Sequence, residues 1–143
     1  YEMNDINNDG IMDILIPSGI IWMQGESDAE HSQESADEYL KNLIHLMNLI
    51  RAAMRMDDLP VVIGKINDSR MYKGGAPTQP YISTVHSAQE AYTKADSCAA
   101  YVKDTETYKF SEDAWHYDSD GFIQMGQAFA KAVMALKNDC IND

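Results

Sequence analysis

The sequence predicts an α/β chain built on a parallel sheet with helices covering both faces, and three observations point there. Short apolar runs opening at Ile20, Leu59 and Ala99 alternate with longer segments of helical periodicity, the pattern of strand-helix repeats. Each run stops abruptly at glycine or polar residues, as buried strands do where they deliver side chains to the rim of a sheet. At 143 residues, 45% of them hydrophobic, the chain has the size of one domain and enough apolar surface for a core.

Charge narrows the partners. A formal charge of −12 and a pI near 4.5 argue against nucleic acid and anionic membrane surfaces, which are held through Lys and Arg. A neutral substrate such as a sugar or its ester fits better. No apolar run is long enough to cross a bilayer, and the opening residues Tyr1, Glu2, Met3, Asn4 and Asp5 do not form a signal peptide. Two parts are expected: an Asp/Asn-rich lead-in over residues 1–17, and the α/β part over 18–143.

In the lead-in, Asp5, Asn7, Asp9 and Asp13 place side-chain oxygens at loop positions one, three, five and nine, with Gly10 at six and the Ile11 carbonyl at seven. Alternate side chains turned inward around a glycine turn suit a hard cation. Ile16 stands where a full EF-hand carries its bidentate Glu, so the loop resembles the shorter loops of dockerins and related calcium repeats. A structural calcium is one reading of this loop, and an Asn/Asp/Gly turn without an ion is the other.

Pro17, Ser18 and Gly19 punctuate the chain before the first strand, which ends in Gln24, Gly25, Glu26, Ser27 and Asp28. Ser35 and Glu38 have the spacing of a capping box. Tyr39, Leu43, Met47, Ile50 and Met54 then repeat at helical spacing, so a helix is expected from Ser35 to about Arg55. Residues 59–66 form a strand apolar on both faces, closing in the polar rim Asn67, Asp68, Ser69 and Arg70. The loop from Lys73 to Pro80 follows, then a helix from near Ser83 carrying Val85, Ala88, Tyr92 and Ala95 on one face, with His86 given no partner. A short strand occupies residues 99–104. The last helix runs from Ser119 or Asp120 to about Lys137, with Phe122, Met125, Phe129, Val133 and Leu136 buried.

Between the last strand and the last helix stand Asp113 and His116. A carboxylate three residues before a histidine can accept the proton of one ring nitrogen and leave the other free to act as a base. Both this pair and the Gln24 turn follow strand C-termini, so they are expected on one rim.

Trp22-Met23-Gln24-Gly25-Glu26-Ser27-Asp28 resembles the Trp-x-Gln-Gly-Glu-x-Asp signature of the sialate O-acetylesterase and acetylxylan esterase family, a branch of the SGNH (GDSL-type) hydrolases. Asp113, His116, Tyr117 and Asp118, with Gly126 and Ala130 behind them, are similar to that family's closing segment, and the likeness spans roughly residues 18 to 137. It implies a three-layer α/β/α, flavodoxin-like fold and removal of acetyl groups from carbohydrate esters without a catalytic metal. His116 would be the general base and acid and Asp113 its orienting partner. Gln24 and the Gly25 backbone would donate to the oxyanion, with Glu26 supporting the turn. Asn67, Asp68 and Arg70 are substrate contacts by position. Secretion or a periplasmic location is also implied.

One departure matters. The family's nucleophilic serine sits in a Gly-Gln-Ser-Asn or Gly-Asp-Ser segment after its first strand, and these residues contain no such segment. The expectation is that the serine lies upstream of this chain, which alone would be inactive and would expose a sheet edge. Two rivals are a metal-dependent hydrolase using Asp113, His116, Asp118 and Glu26, and a calcium-stabilised carbohydrate-binding or scaffold module. In the implied fold Cys98 and Cys140 both lie at the sheet end opposite the rim, and a disulfide between them is expected.

Overall fold

The computed structural model describes residues 5–68, 70, 74–112 and 116–140. Three strands, β1 (Ile20–Trp22), β2 (Val61–Gly64) and β3 (Ala99–Val102), form a parallel sheet in the order β1-β2-β3 among the described residues. The register pairs Ile20 with Val61, Trp22 with Ile63 and Gly64 with Val102, which brings the strand C-termini to one edge. Helices α1 (Glu26–His31), α2 (Gln33–Met54), α3 (Ile82–Ala95) and α4 (Ser119–Cys140) surround it, with a 3-10 turn at Asp104–Thr107.

Strand β2 is central because its side chains suit burial on both faces: Val61, Val62 and Ile63 are fully buried. Burying each contributes about 1.5–3 kcal/mol. Their alternation splits the core in two. Val61 and Ile63 join Ala36, Tyr39, Leu43 and Met47 of α2 and Val85, Ala88 and Tyr92 of α3, while Val62 faces Met125, Phe129 and Leu136 of α4. The expected three layers are therefore present. Gly64 lets α4 approach closely, since a Cβ there would lie 2.7 Å from Phe129 Cζ. Strand β1 has no further partner among the described residues, and Ile21 is 54% exposed beside that edge.

Several boundaries differ from expectation. Ser32, not Ser35, caps α2: it is extended at φ −161°, and its hydroxyl accepts the Ser35 N–H at 3.1 Å. The acidic turn after Gly25 is a six-residue helix, α1, with Glu26 and Asp28 in its first turn, where carboxylates favour the helix dipole. Strand β3 stops at Val102 because Lys103 adopts helical angles and begins the 3-10 turn. Phe122 is 53% exposed instead of buried; its ring meets Tyr117 edge-on at 6.0 Å, at the margin of the core.

At the end of the sheet opposite the strand C-termini, two devices hold the layers. Cys98 and Cys140 form the expected disulfide, with Cα atoms 5.7 Å apart, tying the last turn of α4 to the start of β3. Arg51 of α2 donates to the Leu59 carbonyl from Nε at 3.0 Å and Nη2 at 2.8 Å, and to Asp96 from Nη1 at 2.6 Å. Asp96 also accepts the Tyr92 hydroxyl and the Cys98 N–H, both at 2.9 Å. Helix α2, helix α3 and the root of β3 thus share one carboxylate.

Candidate active site

The turn that follows β1 is gripped from both helices on its face. The Gln24 carbonyl accepts the Tyr39 hydroxyl of α2 at 2.6 Å and the Gln89 amide of α3 at 3.4 Å. The Gln24 side-chain amide donates to Asp28 at 3.0 Å, so one of its two N–H groups is committed within the turn. Gly25 sits at φ +142°, and a Cβ there would lie 2.9 Å from Val85 Cγ1 and 3.1 Å from the Tyr39 ring. Only glycine meets both demands. Its carbonyl accepts the Ala29 N–H at 2.9 Å, and Glu26, half-buried, opens α1.

Beyond β2, Asn67 links the rim to the segment that bears His116. Its amide donates to the Tyr117 hydroxyl at 2.7 Å and to Thr105 Oγ1 at 3.2 Å, and the Thr105 hydroxyl donates to the Lys65 carbonyl at 2.7 Å. Tyr117 is buried and stacks on Phe110, ring centroids 4.4 Å apart, where the backbone makes an isolated antiparallel bridge. The Ser111 N–H donates to the His116 carbonyl at 2.8 Å. These bonds hold the chain around His116, whose side chain is exposed. Asp113 lies outside the described residues.

Other predicted rim residues have more local duties. Asp68 is buried, and its carboxylate accepts the Thr78 N–H at 2.6 Å, the Thr78 hydroxyl at 3.0 Å and the Gln79 N–H at 3.0 Å. It shapes the loop before α3 instead of facing solvent. Arg70 is exposed, and its carbonyl accepts the Gly75 N–H at 3.0 Å. Ser69 and Lys73 lie outside the described residues. Asp118 accepts the Gly121 N–H at 2.8 Å and pairs with Lys109 at 3.1 Å. The Gly121 N–H first, then Lys109, hold its carboxyl below the usual range.

His86 has a partner after all: Nε2 lies 2.7 Å from the Ile66 carbonyl, which can only accept, so Nε2 carries the proton. Burial lowers its pKa from the ordinary value. Gln89, fully buried, and Tyr39 were not singled out as site residues. A signal existed: Gln89 lies four residues after Val85 and three before Tyr92, on the apolar face of α3.

In the lead-in, the Asp5 carboxylate accepts the Asp9 and Gly10 N–H groups at 3.0 and 2.8 Å, Asp9 accepts the Ile11 N–H at 2.9 Å, and Asp13 accepts the Ile6 N–H at 2.7 Å. Gly10 turns the loop at φ +85°. Oxygen donors of this kind suit calcium chemically. Among the described residues, however, no three His, Cys, Asp or Glu side chains are gathered to hold a metal ion.

Two hollows border the rim, one of about 90 Å³ between Trp22, Gln24, Asp28 and α2, the other of about 190 Å³ between Lys65, His86, Glu90, Tyr101 and Lys103. Both are smaller than the roughly 300–1,000 Å³ typical of small-molecule sites.

A parallel sheet with helices on both faces, and polar residues collected beyond its strand C-termini, defines an α/β protein of the kind that binds ligands at that edge. The chain belongs to the carbohydrate esterase family described as sialic acid-specific acetylesterase, whose profile matches residues 9–135. The X-ray structure of a protein from Arabidopsis thaliana is similar in fold, with a TM-score of 0.66 and 24% sequence identity over 82% of this chain and 44% of that one. The present chain thus spans less than half of that structure's length. Among curated proteins no sequence matches it.

Proposed function

We propose that this chain forms part of a carbohydrate O-acetylesterase that removes acetyl groups from sugar esters by serine-hydrolase chemistry, with the nucleophilic serine supplied by a segment upstream. The observation that carries the reading is convergence: in a chain of the carbohydrate esterase family, the Gln24–Gly25 turn and the segment bearing His116 adjoin the same sheet edge, joined through β2 and Asn67.

In this mechanism the serine oxygen attacks the acetyl carbonyl carbon while His116 takes the hydroxyl proton, with Asp113 orienting the ring. Asp28 holds one N–H of the Gln24 amide, and the second N–H and the Gly25 backbone N–H donate to the oxyanion. His116 returns the proton to the sugar oxygen as the C–O bond breaks. Water then attacks the acetyl-enzyme with His116 again as base, releasing acetate and restoring the serine. Glu26 supports the turn, and Asn67 and Arg70 line the approach for the acetylated sugar.

The test is hydrolysis of 4-nitrophenyl acetate by the complete polypeptide. His116→Ala should lower kcat by roughly a thousandfold or more, and equal rates would remove His116 from the mechanism. The Cys98–Cys140 bridge supports placing the protein in an oxidising, secreted or periplasmic setting. For the lead-in, whose carboxylates are not gathered about one point among the described residues, we propose that a structural calcium would draw Asp5, Asn7, Asp9, the Ile11 carbonyl and Asp13 together. At a hundredfold excess over Kd, calcium should add about 2–3 kcal/mol of stability. The added stability is read as a rise in melting temperature over EDTA that Asp9→Ala abolishes; the same melting temperature in both buffers would refute binding.

A further inference from the structure

The buried amide of Gln89 touches more of the sheet edge than any role in packing α3 requires. Its NH2 group lies 3.4 Å from the Gln24 carbonyl, 3.4 Å from the Gly64 carbonyl and 3.5 Å from the Tyr39 hydroxyl, while its Oε1 accepts the Tyr101 hydroxyl at 3.1 Å. The orientation of the amide follows from chemistry: two of its neighbours are carbonyls and can only accept. Tyr39 in turn gives its proton to the Gln24 carbonyl, so towards Gln89 it too accepts. Gln89 is fully buried, and no water can replace these partners.

The Gln24 carbonyl belongs to the same planar unit as the Gly25 N–H, and in a trans peptide the two point in opposite directions. Every peptide bond described is trans. With its carbonyl drawn inward by Tyr39 and Gln89, this peptide must turn the Gly25 N–H away from the α2–α3 core, and no hydrogen bond engages that N–H among the described residues.

We infer that Gln89 is a positioning residue: together with Tyr39 it fixes the plane of the Gln24–Gly25 peptide and so aims the Gly25 N–H at the reacting oxygen. Its catalytic consequence rests on the esterase reading above; its geometric consequence does not. In the complete polypeptide Gln89→Met, which keeps the bulk and removes the amide, should lower kcat about tenfold or more while KM stays within about twofold. Val85→Ala, which loosens packing against the same glycine but leaves the carbonyl's two donors, should lower stability and leave kcat within about threefold.

The second readout needs no activity. The residual dipolar coupling of the Gly25 N–H in the complete polypeptide reports the direction of that bond, and Gln89→Met should change it while the couplings of β2 are retained. An unchanged Gly25 coupling in folded Gln89→Met overturns the inference, as does an unchanged kcat. Should the wild-type polypeptide cleave no acetyl ester, the esterase reading fails and the coupling alone decides the role of Gln89. Should Gln89→Met not fold, Tyr101→Phe, which removes only the hydroxyl donated to Gln89, should move the Gly25 coupling in the same direction by less, and no movement counts against the inference.

Discussion

Gly25 carries two constraints at once, a backbone angle that L side chains rarely adopt and a packing gap too narrow for a Cβ. Gly25→Ala should therefore destabilise the chain by about 2–4 kcal/mol, read as a lower urea midpoint with an unchanged slope. The position was legible in the sequence because a glycine that interrupts an apolar run marks a turn. Gln89 was harder to read: a glutamine in a helix is ordinarily a surface residue, and only its place among Val85, Ala88 and Tyr92 marks it as buried. His86 escaped for a related reason. Its partner is a backbone carbonyl, and sequence patterns carry no sign of where main-chain acceptors fall.

Elements were legible where burial set the pattern and missed where local geometry did. The buried stripe of α2 and the doubly buried β2 follow directly from periodicity. The cap at Ser32 and the short helix α1 do not, because Ser32 and Ser35 offer the same side chain and the backbone angle decides between them. Among elements, the Arg51–Asp96 pair makes the clearest prediction. Burial raises the carboxyl's pKa, but Arg51, the Cys98 N–H and Tyr92 outweigh it, so Asp96 titrates below its ordinary value. A lowered folded pKa stabilises the fold above the unfolded value near pH 4, and the contribution is lost as pH falls through the folded value. Asp96→Asn should accordingly destabilise the chain at neutral pH and flatten the acid side of its stability profile as pH falls below the ordinary carboxylate range. An identical acid slope in the variant would show that the pair is not linked to folding.

At the scale of the molecule, the order of strands and helices alone identified the layered fold, since alternating strands and helices leave few ways to cover a parallel sheet. The sequence holds no Gly-Gln-Ser-Asn or Gly-Asp-Ser segment, and β1 pairs only with β2 among the described residues. Charge adds a global term. With 23 acidic and 11 basic residues, the chain repels itself at neutral pH. The disulfide opposes loosening by constraining the unfolded state, and its reduction should cost about 2–4 kcal/mol in a denaturant titration. It also determines how the molecule bears load. Tension applied at residue 140 passes through sulfur into the base of β3, so α4 cannot be peeled away turn by turn and the sheet is loaded first. In a single-molecule pulling experiment the 42-residue separation between the bridged cysteines stays hidden until a reductant is added. Its release should then appear as about 150 Å of extra contour length.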